Sequence, residues 1–224
     1  MRDRKIRNLL RLVLAAGLCG LTLYTLSARS VGYVGVGSSL DPWGGFIAST
    51  RTADKHPNDV LFESLSDSVA VVYNERGVPQ IFASSDRDAI MTLGYVVARD
   101  RLFQLDFVPR VASGRLAEVL GSDAIESDRF LRSTGMEFGA QLNHQRIDSV
   151  GGIERDLLSW YALGVNSFLK SINANSLPFE FRLLGYAPRE FEPIDAIRVL
   201  QYMSYDLSFR GPDAARHRFA SLDR

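Results

Sequence analysis

The chain has 224 residues, of which 46% are hydrophobic and 23% are charged, and its formal net charge is zero. This composition is typical of a globular protein of one or two domains, and a neutral chain has no field that would draw it to nucleic acid. The one cysteine, Cys19, excludes a disulfide framework or a cysteine-based metal site within the chain.

The N-terminus has the pattern of an exported or anchored protein. Basic residues crowd the first eleven positions, and Leu12 to Ala28 then carries no charge. About 17 residues is short for a membrane span and long for the core of a signal peptide, so residues 1–28 are expected to be either a cleaved signal peptide or an uncleaved transmembrane anchor. Both place the body in the periplasm or elsewhere outside the cytoplasm, free or anchored by residues 12–28.

A linker and a hairpin follow. Residues 29–67 are rich in glycine, serine and polar residues and predict a linker and an irregular segment. Two short β-branched runs, Val69–Tyr73 and Val78–Ala83, flank the turn Asn74–Gly77, which predicts a β-hairpin. Pro79 favours an edge position because it has no backbone N–H to donate.

Helical patterns dominate the next segment. Apolar spacing predicts a helix over Asp88–Phe107, which Pro109 ends or kinks. A short second helix is predicted over Gly114–Leu120, closed by Gly121.

The C-terminal part predicts further helices. The segment Glu154–Ile172 has the clearest amphipathic pattern, with one apolar stripe. Proline-punctuated loop with short extended pieces is expected over Leu177–Glu192. Pro193 suits the first turn of a helix over Ile194–Phe209, and a last helix is predicted over Ala214–Leu222.

Two carboxylates with neighbouring arginines, Asp100 beside Arg101 and Glu118 near Arg115, are candidates for acid–base chemistry or for a buried ion network. The network is favoured because each acid has an arginine close by to neutralise it. The histidines lack metal-ligand spacing, and no serine lies in a Gly-x-Ser-x-Gly elbow (the histidines are His56, His144 and His217).

The segment GYVVARDRLFQLDFVPRVASGRLAEVLG, Gly94 to Gly121, resembles the penicillin acylase family of amidohydrolases with an N-terminal nucleophile. The resemblance extends over about Val69 to Arg218. It departs from the family pattern at Gln80, where a histidine is common, at Leu105, where methionine is usual, and at Pro109, where the first of two arginines is usual. The resemblance assigns Gly94–Gly121 to scaffold.

The family resemblance implies an α+β, helix-rich fold: the α-chain portion of an αββα sandwich, incomplete without the β chain. Residues 68–224 would form this domain, truncated at its C-terminus. Its apolar faces, notably the Glu154–Ile172 stripe, are expected to need a partner chain.

The implied activity is cleavage of N-acyl amides, such as penicillin-type β-lactams or acyl-homoserine lactones. The nucleophile would be the N-terminal serine of a separate β chain, which leaves no catalytic residue in this chain. The alternative is a truncated, inactive membrane-anchored remnant or binding module.

The resemblance also implies site residues. Met203 matches a methionine that lines the acyl pocket, and Leu207 stands where an aromatic gate residue occurs in penicillin G enzymes. Core packing is the ordinary alternative for Met203. Asp213 matches the one calcium ligand that this chain would share with the β chain, although it could equally cap the last helix.

Overall fold

The computed structural model describes residues 2–27, 65–173 and 176–209. Most of the predicted linker, the predicted last helix and Asp213 lie outside these ranges. The chain divides into two compact units, one within residues 1–57 and 175–186 and the other within residues 58–174 and 187–224. The predicted boundaries at residues 28 and 67 stay predictions.

The described fold is helix-rich with a small sheet. In chain order the elements are α1 (Arg2–Ser27), β1 (Ala70–Tyr73), β2 (Pro79–Phe82), α2 (Asp86–Ala112), α3 (Ala117–Leu120), a 3-10 turn (Ser122–Ala124), α4 (Ile125–Ser133), α5 (Met136–Val150), α6 (Ile153–Ser171), α7 (Phe179–Leu184) and α8 (Pro193–Phe209).

The first unit contains α1 and α7. No helix in the described part of the chain is long and apolar enough to cross a membrane. The transmembrane anchor expected over residues 12–28 therefore has no support here, and localisation stays a prediction.

Helix α7 occupies Phe179–Leu184 within the segment Leu177–Glu192, where we expected only loop, and the residues after it are irregular as expected. Pro178 precedes its first residue, and Gly185 ends it in a left-handed conformation, with its N–H donating to the Phe181 carbonyl. Phe181 is fully buried, with its ring 5.1 Å from that of Tyr186. Pro178, one of the prolines that suggested a loop, and Gly185 are thus the boundaries of a short helix.

The hairpin prediction is confirmed. Strands β1 and β2 pair antiparallel, with Ala70 opposite Phe82 and Tyr73 opposite Pro79, and form a two-stranded sheet among the described residues. The Asn74 side chain accepts the Arg76 and Val78 N–H groups, which fixes the turn. Val72 and Phe82 are exposed, so one face of the hairpin is left open.

Helix α2 is longer than expected. The Ser85 side chain caps it by accepting the Asp88 N–H at 3.1 Å. The break that we expected at Pro109 is absent: the helix continues to Ala112, and its one non-helical residue is Arg101 (φ −140°, ψ 27°). Pro109 lies buried in the last turn, where the single hydrogen bond that a proline removes disrupts little of the helix.

Helices α2 and α6 form the centre of the second unit. A Cβ atom at Gly94 would overlap the Tyr161 carbonyl oxygen, and one at Gly164 would overlap that of Met91. The two backbones therefore touch, which glycine alone permits. The apolar stripe of α6 faces α2 here, with Val165 buried and the Phe168 ring 5.4 Å from that of Tyr95. Helix α2 thus covers part of the stripe, whereas the stripe's residues other than Val165 are only half-buried, so the expectation that the stripe as a whole awaits a partner chain is corrected at this contact.

Helices α4 and α5 lie in a segment for which no helix or strand was predicted. Asp128 of α4 is buried, and its carboxylate accepts the Leu116 and Ala117 N–H groups at 2.7 and 2.8 Å. It thereby satisfies the start of α3. Helix α5 packs against α8.

We predict that Gly164→Ala lowers the free energy of unfolding by about 1–3 kcal/mol, since the added methyl group must force α2 and α6 apart. The matched control is Gly139→Ala in α5, where a Cβ would meet only the Gln201 side chain at 3.4 Å. Denaturant unfolding of both variants checks this. Equal stability of the two would contradict the close contact.

Candidate functional site

The outward face of α8 carries the two predicted pocket residues. Met203 is 53% exposed and Leu207 is 78% exposed. Leu200, 61% exposed, completes an i, i+3, i+7 row on the same side of the helix. The core-packing alternative for Met203 is therefore wrong. An exposed aliphatic row is a surface that can bind an apolar group, and sequence reasoning missed Leu200 as its third member.

The inward face of α8 begins with Asp195, which is fully buried. Arg189 donates two hydrogen bonds to its carboxylate at 2.6 and 2.8 Å, Arg198 donates a third at 2.9 Å, and the Glu192 N–H donates a fourth at 2.8 Å. Burial raises the pKa of the Asp195 carboxyl, but the hydrogen bonds outweigh burial and hold this pKa below its ordinary value.

Arg198 connects α8 to α5. Its guanidinium donates to both carboxylate oxygens of Glu137, at 2.6 and 2.8 Å. Burial raises the pKa of Glu137, while the paired Arg198 lowers it by more, so the net pKa is lowered. A planar guanidinium that binds a carboxylate with two parallel hydrogen bonds fixes distance and orientation together.

The segment before α8 is held to α2 and α6. Asn166 of α6 exchanges two hydrogen bonds of 2.8 Å with the backbone of Phe191. The Arg189 N–H donates to Asp106 of α2 at 3.1 Å. Helix α8 is thus tied to three other helices through polar groups that are largely buried.

Asp100 and Glu118, around which we predicted an ion network, form ion pairs with arginines other than the expected ones. Asp100 pairs with Arg99 at 3.0 Å, and Glu118 pairs with Arg110 at 2.6 Å. Both acids are about half exposed, so the buried network that we expected around them does not form. Arg101 has a non-helical backbone conformation, and Arg115 donates to the Ser113 hydroxyl at 2.8 Å.

The buried network instead includes Asp106, whose carboxylate pairs with Arg110 at 3.0 Å. The i, i+4 spacing of this pair and the i, i+3 spacing of Asp195 and Arg198 were visible in the sequence as possible helix pairs. No local signal marked Glu137, which is 61 residues from Arg198.

In the described part of the chain, no three histidine, cysteine or acidic side chains come together in a group that could hold a metal ion. His144 pairs with Asp148 at 3.3 Å along α5. Asp213, the predicted calcium ligand, lies outside the described residues, as do His56 and His217.

We predict that stability falls as pH drops below about 4.5. The folded pKa values of Asp195 and Glu137 lie below their ordinary values of 3.8 and 4.5. Their stabilisation is therefore complete above the unfolded pKa values and is lost as pH falls through the folded ones.

Asp195→Asn tests this dependence. At pH 7 it should lower the free energy of unfolding by about 3–5 kcal/mol, because two arginines lose a buried partner. The loss should shrink as pH falls toward 3, as urea titrations at several pH values will measure. Asp100→Asn, at a half-exposed pair, is the control and should change little. If the loss of unfolding free energy in Asp195→Asn does not vary with pH, the lowered pKa that we assign to Asp195 is contradicted.

Comparisons with known proteins give the family. The family described as Penicillin amidase matches residues 68–223. The chain is 41% identical to the penicillin acylase 2 proenzyme of Pseudomonas sp. (strain SE83) over 137 residues, 61% of this chain and 17% of that protein. It is 34% identical to the acyl-homoserine lactone acylase QuiP of Pseudomonas syringae pv. tomato over 146 residues, 65% of this chain and 17% of that protein.

The fold has a relative of known structure. A thermostable penicillin G acylase from Alcaligenes faecalis matches with a TM-score of 0.57 and 28% identity, covering 66% of this chain and 78% of that chain. The described fold agrees with the expected α+β, helix-rich α-chain portion of such an enzyme. This chain spans about one sixth of the length of the curated relatives, 17% in both cases above. The family match nevertheless includes most of its residues, and the chain belongs to the penicillin amidase family.

Proposed function

We propose that this chain is the α-chain part of an amidohydrolase that cleaves N-acyl amides. The observation that carries the proposal is the family match over residues 68–223, whose helices the structure assembles into a scaffold with an exposed aliphatic row on α8. The relatives are named as acylases of penicillins and of acyl-homoserine lactones. Substrates of this type, small acylated amines, are proposed for the complete enzyme.

The chemistry would reside in a β chain. Its N-terminal serine would attack the amide carbonyl, with its own α-amino group as the base that takes the hydroxyl proton. The C–N bond would break, the amine would leave with that proton, and water would then release the acyl group from the serine as an acid. Hydrogen-bond donors of the same chain would stabilise the oxyanion. The buried ion pairs among the described residues are arginine–carboxylate pairs, which fits a chain that shapes the pocket and supplies no nucleophile.

Exposed apolar surface supports the need for a partner. A two-stranded hairpin is marginal alone, and Val72 and Phe82 leave one of its faces open. Phe138 and Leu142 of α5 are a second exposed pair at i, i+4. We propose that the β chain covers such surfaces. The alternative of an inactive remnant predicts no such partner.

Met203 and Leu207 are proposed to line the acyl pocket. Both are exposed, aliphatic or thioether side chains on one face of α8, which suits an aliphatic acyl group. Leu207, in place of an aromatic gate residue, leaves room for a flexible acyl group.

Asp213 is proposed as a calcium ligand shared with the β chain. A carboxylate oxygen is a ligand that calcium prefers, and a site of six to eight oxygens needs further ligands from outside this chain. Export to the periplasm, directed by residues 1–28, is proposed from the basic head and the uncharged run that follows it.

The first experiment is expression of the complete coding region, followed by mass analysis and amide-hydrolysis assays. We expect two chains that copurify and hydrolyse N-acyl amides. Replacement of the N-terminal serine of the second chain by alanine is the control and should abolish hydrolysis. A single chain without a partner and without activity would instead support the remnant.

Acyl preference tests the pocket. We predict that Leu207→Phe shifts the ratio of kcat/KM for phenylacetyl over dodecanoyl amides roughly tenfold or more toward phenylacetyl, because the ring fills the volume that a long chain requires. Leu163→Phe, the same change at an exposed position of α6, is the matched control and should leave the ratio unchanged. Equal effects of the two variants would place Leu207 outside the pocket.

A further inference from the structure

One buried guanidinium joins α8 to α5. Arg198 lies on the inward face of the helix, is 7% exposed, and donates three hydrogen bonds: two to Glu137 on α5 and one to Asp195 in the first turn of α8. Through Asp195 it is also linked to Arg189 in the preceding segment. Its side chain therefore joins three parts of the second unit.

Helices α5 and α8 pack side by side where Arg198 joins them. Gly139 lies two residues after Glu137, and a Cβ there would lie 3.4 Å from the Gln201 side chain of α8, which is an ordinary packing distance. The two helices are therefore neighbours at the ion pair, with room between them for a methyl group. A bidentate pair at this place fixes both the distance between the helices and the rotation of α8 about its axis.

Rotation and tilt at Arg198 are carried along the helix. Met203 and Leu207 lie about 7.5 Å and 13.5 Å further along the axis, at a rise of 1.5 Å per residue. A tilt at Arg198 displaces Leu207 more than Met203 because the displacement grows with distance. Their exposed side chains have no opposite wall within the described residues to correct such a shift.

We propose that Arg198 is a positioning residue for acyl selectivity: by binding Glu137 and Asp195 it sets where α8 presents Leu200, Met203 and Leu207 to the acyl group. This inference rests on the proposed function. Arg198 itself is buried and does not touch substrate. Its effect should therefore grow with the length of the acyl group, since a long chain contacts more of the row than a short one.

The test uses the complete enzyme with Arg198→Lys, which keeps the charge but cannot form two parallel hydrogen bonds to Glu137. Acetyl, hexanoyl and dodecanoyl amides of one amine are compared. We expect KM for the dodecanoyl amide to rise at least about fivefold relative to the acetyl amide, with kcat for the acetyl amide within about twofold of wild type. Glu137→Gln, which changes the partner of Arg198 on α5, should shift the same KM ratio in the same direction. If Arg198→Lys fails to fold, the Glu137→Gln variant alone tests the proposal.

Asp128→Asn is the matched control, because Asp128 is as buried as Arg198 but its carboxylate accepts the Leu116 and Ala117 N–H groups at the start of α3. It should change KM by the same factor for all three substrates. If Arg198→Lys and Glu137→Gln also change KM by the same factor for all three, the positioning role is overturned and the Arg198–Glu137 pair is structural only. A wild-type enzyme that hydrolyses none of the amides would overturn the proposed function itself, and this assignment with it.

Discussion

The buried carboxylate of Asp195 is the interaction on which the arrangement of the second unit depends. Removing a carboxylate from water is costly, and the cost is offset only when several donors surround it. Two arginines and a backbone N–H do so here. Since the donors come from α8 itself and from the segment before it, and Arg198 continues to Glu137 on α5, the requirement to satisfy one charge aligns several elements at once.

Apolar packing supplies the second constraint. Helices α2 and α6 approach so closely at Gly94 and Gly164 that side chains there are excluded. The apolar stripe of α6 takes part in this contact. Among the described residues, exposed apolar side chains remain on the open face of the hairpin and on the outward faces of α5 and α8, among other places. The unit is therefore well packed at its centre and incomplete at its periphery.

This division fits a chain that shapes a site made with another chain. Two of its buried ion pairs join structural elements: Asp106 with Arg110 and Glu137 with Arg198. The segment with the densest family resemblance, Gly94–Gly121, lies in α2 and α3 and serves the scaffold. Under the function that we propose, the scaffold's contribution would be to place the exposed face of α8.

The sequence by itself determined the hairpin, the long helices α2, α6 and α8, and the family, because alternating and helical apolar patterns, capping residues and the Gly94–Gly121 motif are local signals. It did not determine α4, which has only nine residues, or α5, or the short α7, whose bounding proline and glycine are equally typical of loops. It predicted that acids near Arg101 and Arg115 are neutralised, but not by which arginines. Only the tertiary structure decided that Met203 faces outward, that α2 covers part of the α6 stripe, and that Arg198 binds Glu137. Each of these depends on contacts between helices that are far apart in the sequence and come together only when the chain folds.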